Sequence, residues 1–314
     1  MAPLVSVIII FYNAERFLLE AIESVLAQSL PDWELILADD GSTDQSTAQA
    51  RAWAEAYPGQ ILYVEHEGHG NRGMSATRNL GVRHSRAKWI AFLDSDDVWQ
   101  PFKLAEQSGL LQAHPEARLL YGSPLYWFSW SRDLAAFRDI QPGTGVPDAT
   151  VVHPPELLLR NYPLGTGPAP CPSDLIVSRA VIDLVGGFEE SFRGIYQMYE
   201  DQAFLARVYR VAPVLVSNRC WTRYRQHSSA CSSTVRDAGR YHDVRQYFLR
   251  YLEGILRREE EQDPRIWSAL RRAWWPYRHP VLAWMANLWP RIRRRIRRDL
   301  ASIRRAGPKA LPPV

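Results

Sequence analysis

The first hundred residues alternate short apolar runs with stretches of helical periodicity. We predict strands near residues 5–11, 34–38, 61–65 and 88–93, because each run is short, apolar and bounded by polar residues. Between the first two strands, apolar residues recur three or four positions apart, which predicts a helix with one buried face: Phe17, Leu18, Ala21, Ile22, Val25 and Leu26. This alternation favours an α/β fold with a mostly parallel central sheet flanked by helices. Beyond about residue 240 the pattern becomes helical.

Polar residues after the first two strands predict helix starts. Asn13 is expected to cap the first helix, because a short polar side chain can accept a hydrogen bond from a free backbone N–H group. Ser42 and Gln45 are expected to form a capping box for the second helix.

Charge is distributed unevenly along the chain. Residues 265–314 hold 13 Lys and Arg against one acid, Asp299, although the net charge of the whole chain is only +4. Past residue 280, apolar residues at helical spacing alternate with arginines, which predicts a basic amphipathic helix on an anionic membrane surface. A helix packed on its own domain is an alternative. A second alternative is that this basic tail binds nucleic acid, which gives no role to the acidic residues in the rest of the chain.

Cysteines and apolar segments bear on the compartment. Cys171, Cys220 and Cys231 are an odd number, lie far apart and match no zinc or redox spacing, which favours a reducing compartment. Residues 5–10 have no basic segment before them and are predicted to be a core strand rather than a signal peptide. No uninterrupted apolar stretch is long enough to span a bilayer. We therefore expect a cytoplasmic location, with peripheral binding to the cytoplasmic face of the inner membrane if the tail contacts lipid.

Three carboxylates follow the fourth predicted strand: Asp94, Asp96 and Asp97. Carboxylates this close repel one another unless a cation is present, and Mg²⁺ or Mn²⁺ commonly takes one or two carboxylates with substrate phosphates. Asp94-x-Asp96 thus predicts a metal and diphosphate site. The alternative is a solvated turn in which Asp97 caps the next helix.

A second acidic turn, residues 38–44, follows the second strand. Asp40 can accept hydrogen bonds from a nucleobase or ribose, or it can belong to an ordinary capped turn. Ligands of open α/β sheets bind beyond the carboxyl ends of the strands, where both acidic turns are expected.

Residues 68–73 match a G-x-G-x-x-G pattern, which would indicate a dinucleotide site and an NAD(P)-dependent dehydrogenase. However, three polar residues separate these glycines from the preceding strand, and a complete β-α-β unit comes before them. The other hypothesis is a loop whose Arg72, together with Arg78 on the next helix, approaches a diphosphate. Arg78 is equally compatible with a surface or ion-pair role.

The acids Glu200 and Asp201 open a later helical stretch. They can serve the helix dipole, or Asp201 can accept a proton from an acceptor hydroxyl as a general base. His227, two residues after Arg225, can contact a metal or diphosphate or lie on the surface.

Taken in order, these segments resemble the family 2 glycosyltransferases of the GT-A fold, as found in bacterial cell-surface polysaccharide synthesis. The resemblance covers about residues 4–235, through residues 5–13, 39–44, 76–81, 94–96, 186–188, 200–201 and 225–227. Phe11 stands where the family often has Pro, and Thr77 stands where Ala is common. The resemblance implies a GT-A nucleotide-diphospho-sugar transferase domain. Its nucleotide-sugar half is 1–115, its acceptor half is 116–238, and a helical basic extension occupies 239–314.

The resemblance also implies a function and a site. The function is inverting, metal-dependent transfer of a sugar from a nucleotide-diphosphate sugar, most commonly a UDP-sugar, to a carbohydrate or lipid-linked hydroxyl acceptor. Asp201 would be the catalytic base, Asp96 and His227 would hold Mn²⁺ or Mg²⁺, and Glu200 and Arg225 would lie near the acceptor or diphosphate. The implied nucleotide-sugar ligands are Phe11, Tyr12, Asn13, Glu15, Asp40, Arg72, Arg78, Asp94, Ser95 and Asp96.

Overall fold

Four parallel strands begin the central sheet of the structure, a computed structural model that describes residues 2–134 and 136–286. They are β1 (Val5–Phe11), β2 (Trp33–Asp39), β3 (Ile61–Glu65) and β4 (Trp89–Asp94), in the order β3-β2-β1-β4. Phe11 of β1 lies opposite Asp39, and Ile10 lies opposite Asp94. The carboxyl ends of these strands therefore share one edge, and the two acidic turns lie there on either side of β1.

Within the described part of the chain, seven shorter strands complete the sheets. They are β5 (Val98–Trp99), β6 (Leu119–Tyr121), β7 (Leu125–Trp127), β8 (Thr150–Val152), β9 (Ile176–Ser178), β10 (Val214–Val216) and β11 (Thr222–Arg225). The main sheet continues from β4 as β9-β6-β10-β8, and β9 and β8 run antiparallel to their neighbours. A small second sheet, β5-β11-β7, joins the segment after β4 to the segment before His227.

Helices cover both faces of the main sheet. They are α1 (Leu18–Leu26), α2 (Ser46–Ala56), α3 (Met74–His84), α4 (Lys103–Ala113), α5 (Glu156–Arg160), α6 (Arg179–Val185), α7 (Glu200–Val211), α8 (Cys231–Asp237), α9 (Tyr241–Arg258) and α10 (Pro264–Arg278). Side chains of β1 alternate between two cores: Val7 and Ile9 pack with α1, α2 and α4, whereas Ile8 and Ile10 pack with α3, α7 and α9. The predicted α/β class with a helical C-terminal region is confirmed.

Both predicted helix caps are wrong, because their side chains bond across the chain. Helix α1 begins at Leu18, and the Asn13 side-chain oxygen accepts a hydrogen bond from the Thr43 N–H group at 2.7 Å. Ser42 Oγ likewise accepts from the Asn13 N–H group at 3.0 Å, so no capping box with Gln45 forms. These bonds tie the turn after β1 to the turn after β2.

The C-terminal part contains α9, α10 and a helical segment at residues 280–286. Within the described residues, none of the helices combines the length and apolar character needed to cross a bilayer. The rest of the predicted basic amphipathic helix, residues 287–314, lies outside the described part of the chain.

Candidate active site

The turn after β2 is joined to the 68–73 loop through Asp40. This buried carboxylate accepts hydrogen bonds from the backbone N–H groups of Arg72 at 2.6 Å and Gly73 at 3.0 Å. Gly41 has a φ of +79°, and a Cβ there would lie 2.7 Å from the His69 carbonyl oxygen. The two amides that would face a phosphate in a dinucleotide site are thus taken by Asp40. This arrangement argues against the dehydrogenase hypothesis.

The segment after β1 exposes one aromatic ring. Tyr12 is 52% exposed, whereas the Phe11 side chain is buried in the core, so only the backbone of Phe11 faces the edge. The side chain of Asn13 is used by Thr43, and the Glu15 carboxylate accepts from the Gln45 N–H group at 3.0 Å. Of these candidates, Tyr12 is the side chain that presents its ring to solvent.

A buried arginine joins two distant acids. The Arg78 guanidinium donates from Nη2 to Asp94 Oδ1 at 2.8 Å and from Nε to Glu200 Oε1 at 3.0 Å. Burial disfavours its charge, but the carboxylates of Glu200 and Asp94 outweigh burial and raise the pKa of Arg78. Arg78 Nη1 and Glu200 Oε2 are buried without a hydrogen-bond partner in the described structure. Arg78 therefore neutralises site carboxylates and has an ion-pair role.

The carboxylates of the two acids at the start of α7 have different partners. Asp201 accepts hydrogen bonds from the backbone and side-chain nitrogens of Gln202, at 2.6 and 3.2 Å, and makes no ion pair among the described residues. Burial raises the pKa of Asp201 to about 6, against the lowering effect of the Gln202 amide. Burial also raises the pKa of Glu200 to about 7, although Arg78 opposes this shift.

The acids after β4 also have different partners. Asp96 Oδ2 lies 2.9 Å from His227 Nε2 and is partly exposed. Asp97 is fully buried and accepts hydrogen bonds from the Arg225 N–H group and from Ser173 Oγ. Burial and the neighbouring acids Asp96 and Asp94 raise the pKa of Asp97 well above its usual range. The alternative of a solvated turn with Asp97 as a helix cap is wrong, because its carboxylate anchors the turn from inside.

Arg225 fixes the same turn from the opposite side. Its Nε donates to the Asp96 carbonyl oxygen at 2.6 Å, and its guanidinium pairs with Glu20 on α1 and lies 4.6 Å from the centre of the Trp127 ring. Arg225 is buried, so it holds the acidic turn in place and is not open to an acceptor.

One residue at this edge, Ser173, has no sequence signal of its own. Ser173 donates to Asp97, and Ser173 Oγ also accepts a hydrogen bond from the Asp94 N–H group at 3.0 Å. It follows a Pro-rich segment that contains Pro168, Pro170 and Pro172. Ser95 lies between the two acids and is partly exposed.

Asp96 and His227 are the described side chains best placed to hold a cation. Among the described residues, no group of three or more His, Cys, Asp or Glu side chains could by itself enclose a metal ion. One carboxylate and one imidazole nevertheless fit a Mn²⁺ or Mg²⁺ ion whose other ligands are substrate phosphates and water.

The fold and this edge define an α/β domain of the GT-A type, with its acidic residues gathered at the carboxyl ends of parallel strands. The model of the family described as glycosyl transferase family 2 matches residues 6–138. Two Bacillus subtilis proteins are similar. EpsE, named as a glycosyltransferase, is 40% identical over 112 residues, which are 36% of this chain and 40% of EpsE. TuaG, named for teichuronic acid biosynthesis, is 38% identical over 106 residues, 33% of this chain and 40% of TuaG.

Solved structures of S. aureus TarS show the same fold. The 1–349 fragment has a TM-score of 0.58 at 20% identity, covering 80% of this chain and 65% of that one. Its complex with UDP-GlcNAc has a TM-score of 0.59 at 18% identity, covering 80% and 66%. Residues 6–138 are thus similar to glycosyl transferase family 2, and the matches span less than half the length of EpsE and TuaG.

Proposed function

We propose that this chain is a metal-dependent, inverting glycosyltransferase. It transfers a sugar from a nucleotide-diphosphate sugar to a hydroxyl acceptor in the synthesis of a cell-surface polysaccharide or glycolipid. A UDP-sugar is the first candidate donor, since the related fold of TarS has been solved with UDP and with UDP-GlcNAc. The observation that carries the proposal is the link from Asp94 through Arg78 to the Glu200–Asp201 pair, which brings donor-side and acceptor-side acids to one edge.

In this proposal the donor lies across the ends of β2, β1 and β4. Tyr12 and Asp40 contact the nucleobase and Asp94 lies near the ribose, while Asp96 and His227 would hold Mn²⁺ or Mg²⁺. Asp40 can still accept a hydrogen bond from a nucleobase. An ionised carboxylate has about four acceptor sites, and its described hydrogen-bond donors are the backbone N–H groups of Arg72 and Gly73. When bound, the ion would neutralise charge on the diphosphate.

The transfer step uses Asp201 as the base. Its carboxylate accepts the proton of the acceptor hydroxyl while the hydroxyl oxygen bonds to the anomeric carbon. The bond from that carbon to the diphosphate oxygen breaks, its electron pair leaves with the nucleoside diphosphate, and the anomeric configuration inverts. Glu200 and Arg78 position this base and Asp94, because their ion pair joins the start of α7 to the donor side.

We also propose that the C-terminal extension binds an anionic membrane surface. Val281, Leu282, Trp284 and Met285 are more than half exposed, directly after Arg278 at the end of α10. An exposed apolar segment next to basic residues suits the headgroup region of a bilayer. Such binding places the enzyme at the cytoplasmic face of the inner membrane and suits a lipid-linked acceptor.

A thermal-shift and transfer experiment tests the donor and the metal together. UDP, GDP and dTDP are added with and without MnCl₂, and we expect one of them to raise the melting temperature only with metal. Ligand at 100 times its Kd should contribute about 2.7 kcal/mol to stability. Asp96→Asn should abolish the metal-dependent part of the shift. Stabilisation of the wild type by NAD, with no effect of any nucleoside diphosphate, would instead favour the dehydrogenase hypothesis.

A further inference from the structure

An exposed arginine without a described carboxylate partner lies on the side of the site where Asp96 meets His227. The guanidinium carbon of Arg16 lies 5.1 Å from the centre of the Phe17 ring and 5.1 Å from that of Trp130. Within residues 2–134 and 136–286, its side chain makes no ion pair. Contact with two aromatic rings holds the guanidinium in place and leaves its N–H groups free for another acceptor.

The same two rings place Arg16 beside the proposed diphosphate position. The Phe17 and Trp130 ring centres lie 5.1 and 6.4 Å from the centre of the His227 ring. Trp130 is fixed by a hydrogen bond from its Nε1 to the Gln226 carbonyl oxygen at 2.8 Å. Because His227 Nε2 lies 2.9 Å from Asp96 Oδ2, this aromatic pair connects Arg16 to the candidate metal ligands.

Two other arginines at this edge are buried and committed to carboxylates. Arg78 is buried between Asp94 and Glu200, and Arg225 is buried and bonded to Glu20 and to the Asp96 backbone. Arg72 belongs to the loop that Asp40 holds at the end of β2. Negative charge develops on a departing nucleoside diphosphate, and an arginine side chain that has no carboxylate partner can stabilise that charge.

We propose that Arg16 is a phosphate ligand that binds the diphosphate of the sugar donor and stabilises the departing nucleoside diphosphate. This inference rests on the proposed function. The planar guanidinium can donate two parallel hydrogen bonds to phosphate oxygens, a geometry that lysine cannot reproduce. As the bond to the anomeric carbon breaks, its electron pair goes to the diphosphate oxygen, and Arg16 neutralises part of that charge.

Calorimetry on the full chain tests this assignment. Wild type, Arg16→Gln and Arg16→Lys are titrated with UDP in the presence of MnCl₂, or with GDP or dTDP if that nucleotide stabilises the wild type more. Binding of the matching nucleoside is followed by NMR. We expect Arg16→Gln to bind the diphosphate about tenfold or more weakly, as is typical for loss of a hydrogen bond to a charged group, and to bind the nucleoside equally well. The diphosphate affinity of Arg16→Lys should lie between those of the wild type and Arg16→Gln.

Arg257→Gln is the matched control. Arg257 lies on helix α9, is also exposed, and stands over an aromatic ring, that of Trp267 on α10. Equal diphosphate affinity of wild type and Arg16→Gln would overturn the inference and leave the proposed function intact. Parallel weakening of nucleoside and nucleoside diphosphate would also overturn it, since the effect would then lie outside the diphosphate. A wild type that binds none of the three nucleoside diphosphates would overturn the proposed function as well.

Discussion

Neighbouring carboxylates at the start of α7 show how contacts divide roles between residues. Glu200 is paired with Arg78, whereas Asp201 accepts only from Gln202 in the described structure. The Arg78 guanidinium occupies Glu200 Oε1 and holds that carboxylate in place, whereas no cation holds the Asp201 carboxylate among the described residues. Asp201 is therefore the better candidate for the base, and Glu200 is the better candidate for a positioning residue.

Replacement of Asp201 by Asn separates binding from transfer. The amide keeps the shape of the side chain but cannot take up the acceptor proton, so transfer should fall by about 10² to 10⁴. The affinity for the nucleoside diphosphate, measured by calorimetry with MnCl₂, should stay unchanged. Asp183→Asn, at an exposed position of α6, is the control. Normal turnover by Asp201→Asn would place the base elsewhere.

The raised pKa of Asp201 predicts an acid limit for the reaction. Because burial raises this pKa to about 6, the carboxylate is ionised above that pH and is progressively protonated below it. We expect kcat to fall about tenfold for each pH unit below the pKa, as for a single essential base. Transfer rates from pH 5 to 8 at saturating donor measure this. A flat profile down to pH 5 would contradict the assignment.

Residues that form local motifs can be recognised in the sequence, but their hydrogen-bond and ion-pair partners cannot. Acids after a strand or at a helix start suggest chemistry, which makes Asp94, Asp96 and Asp201 recognisable in the sequence alone. The Arg78–Glu200 bond joins residues 122 positions apart, and Ser173 reaches Asp97 from 76 positions away. No local pattern encodes such distances, so the ion pairing of Arg78 became visible only with the fold.

At the level of elements, strand positions followed from the sequence better than helix starts did. Strands β1 and β3 have the predicted bounds, because a short apolar run between polar segments defines where a strand begins and ends. The caps failed because Asn13 and Ser42 bond to each other's turns across about thirty residues. Capping rules consider only the nearest N–H groups, whereas tertiary contacts compete for the same side chains.

Glycines in α3 and α4 provide a test of helix packing against the sheet. A Cβ at Gly81 would lie 2.5 Å from Ile8 Cγ2 in the fully buried centre of β1, whereas a Cβ at Gly109 would meet no atom within 4 Å. Gly81→Ala should therefore destabilise by about 1 to 3 kcal/mol through overpacking. Gly109→Ala should stabilise by about 0.4 to 1 kcal/mol, because alanine restricts the unfolded chain.

Denaturant unfolding of both glycine variants measures the difference. Because both residues lie inside helices, the helix propensity gained by alanine is shared, and a difference between the variants reports the contact with Ile8. Equal midpoints for Gly81→Ala and Gly109→Ala would show that α3 moves away from β1 at no cost.

At the level of the whole molecule, the site combines two parts of the chain with different sequence signals. The family match ends at residue 138, yet Asp201 and His227 lie beyond it and reach the same edge. The strands β6, β8, β9 and β10 that connect these parts have three residues each, too few for a periodic pattern. The class of fold was therefore predictable, and the route of the second half through the sheet was not.

The C-terminal extension gives the whole molecule a second proposed contact, with a membrane. We expect the full chain to sediment with vesicles that contain phosphatidylglycerol and to remain free with pure phosphatidylcholine. Added salt should weaken this binding, because each basic residue near an anionic surface contributes about 1 kcal/mol that is screened by ions. Truncation after Arg278 should abolish sedimentation while the stabilisation by nucleoside diphosphate and Mn²⁺ persists, since the proposed site lies in residues 11–227.

The truncation also separates membrane binding from its alternatives. A tail that packs on its own domain would, when removed, lower the melting temperature without any loss of vesicle binding. A tail that binds nucleic acid would release vesicles when RNA is added and would bind RNA with the same salt dependence. Leu282→Asp adds a direct test, because a charge on the exposed apolar face at residues 281–285 should weaken vesicle binding and leave RNA binding in place.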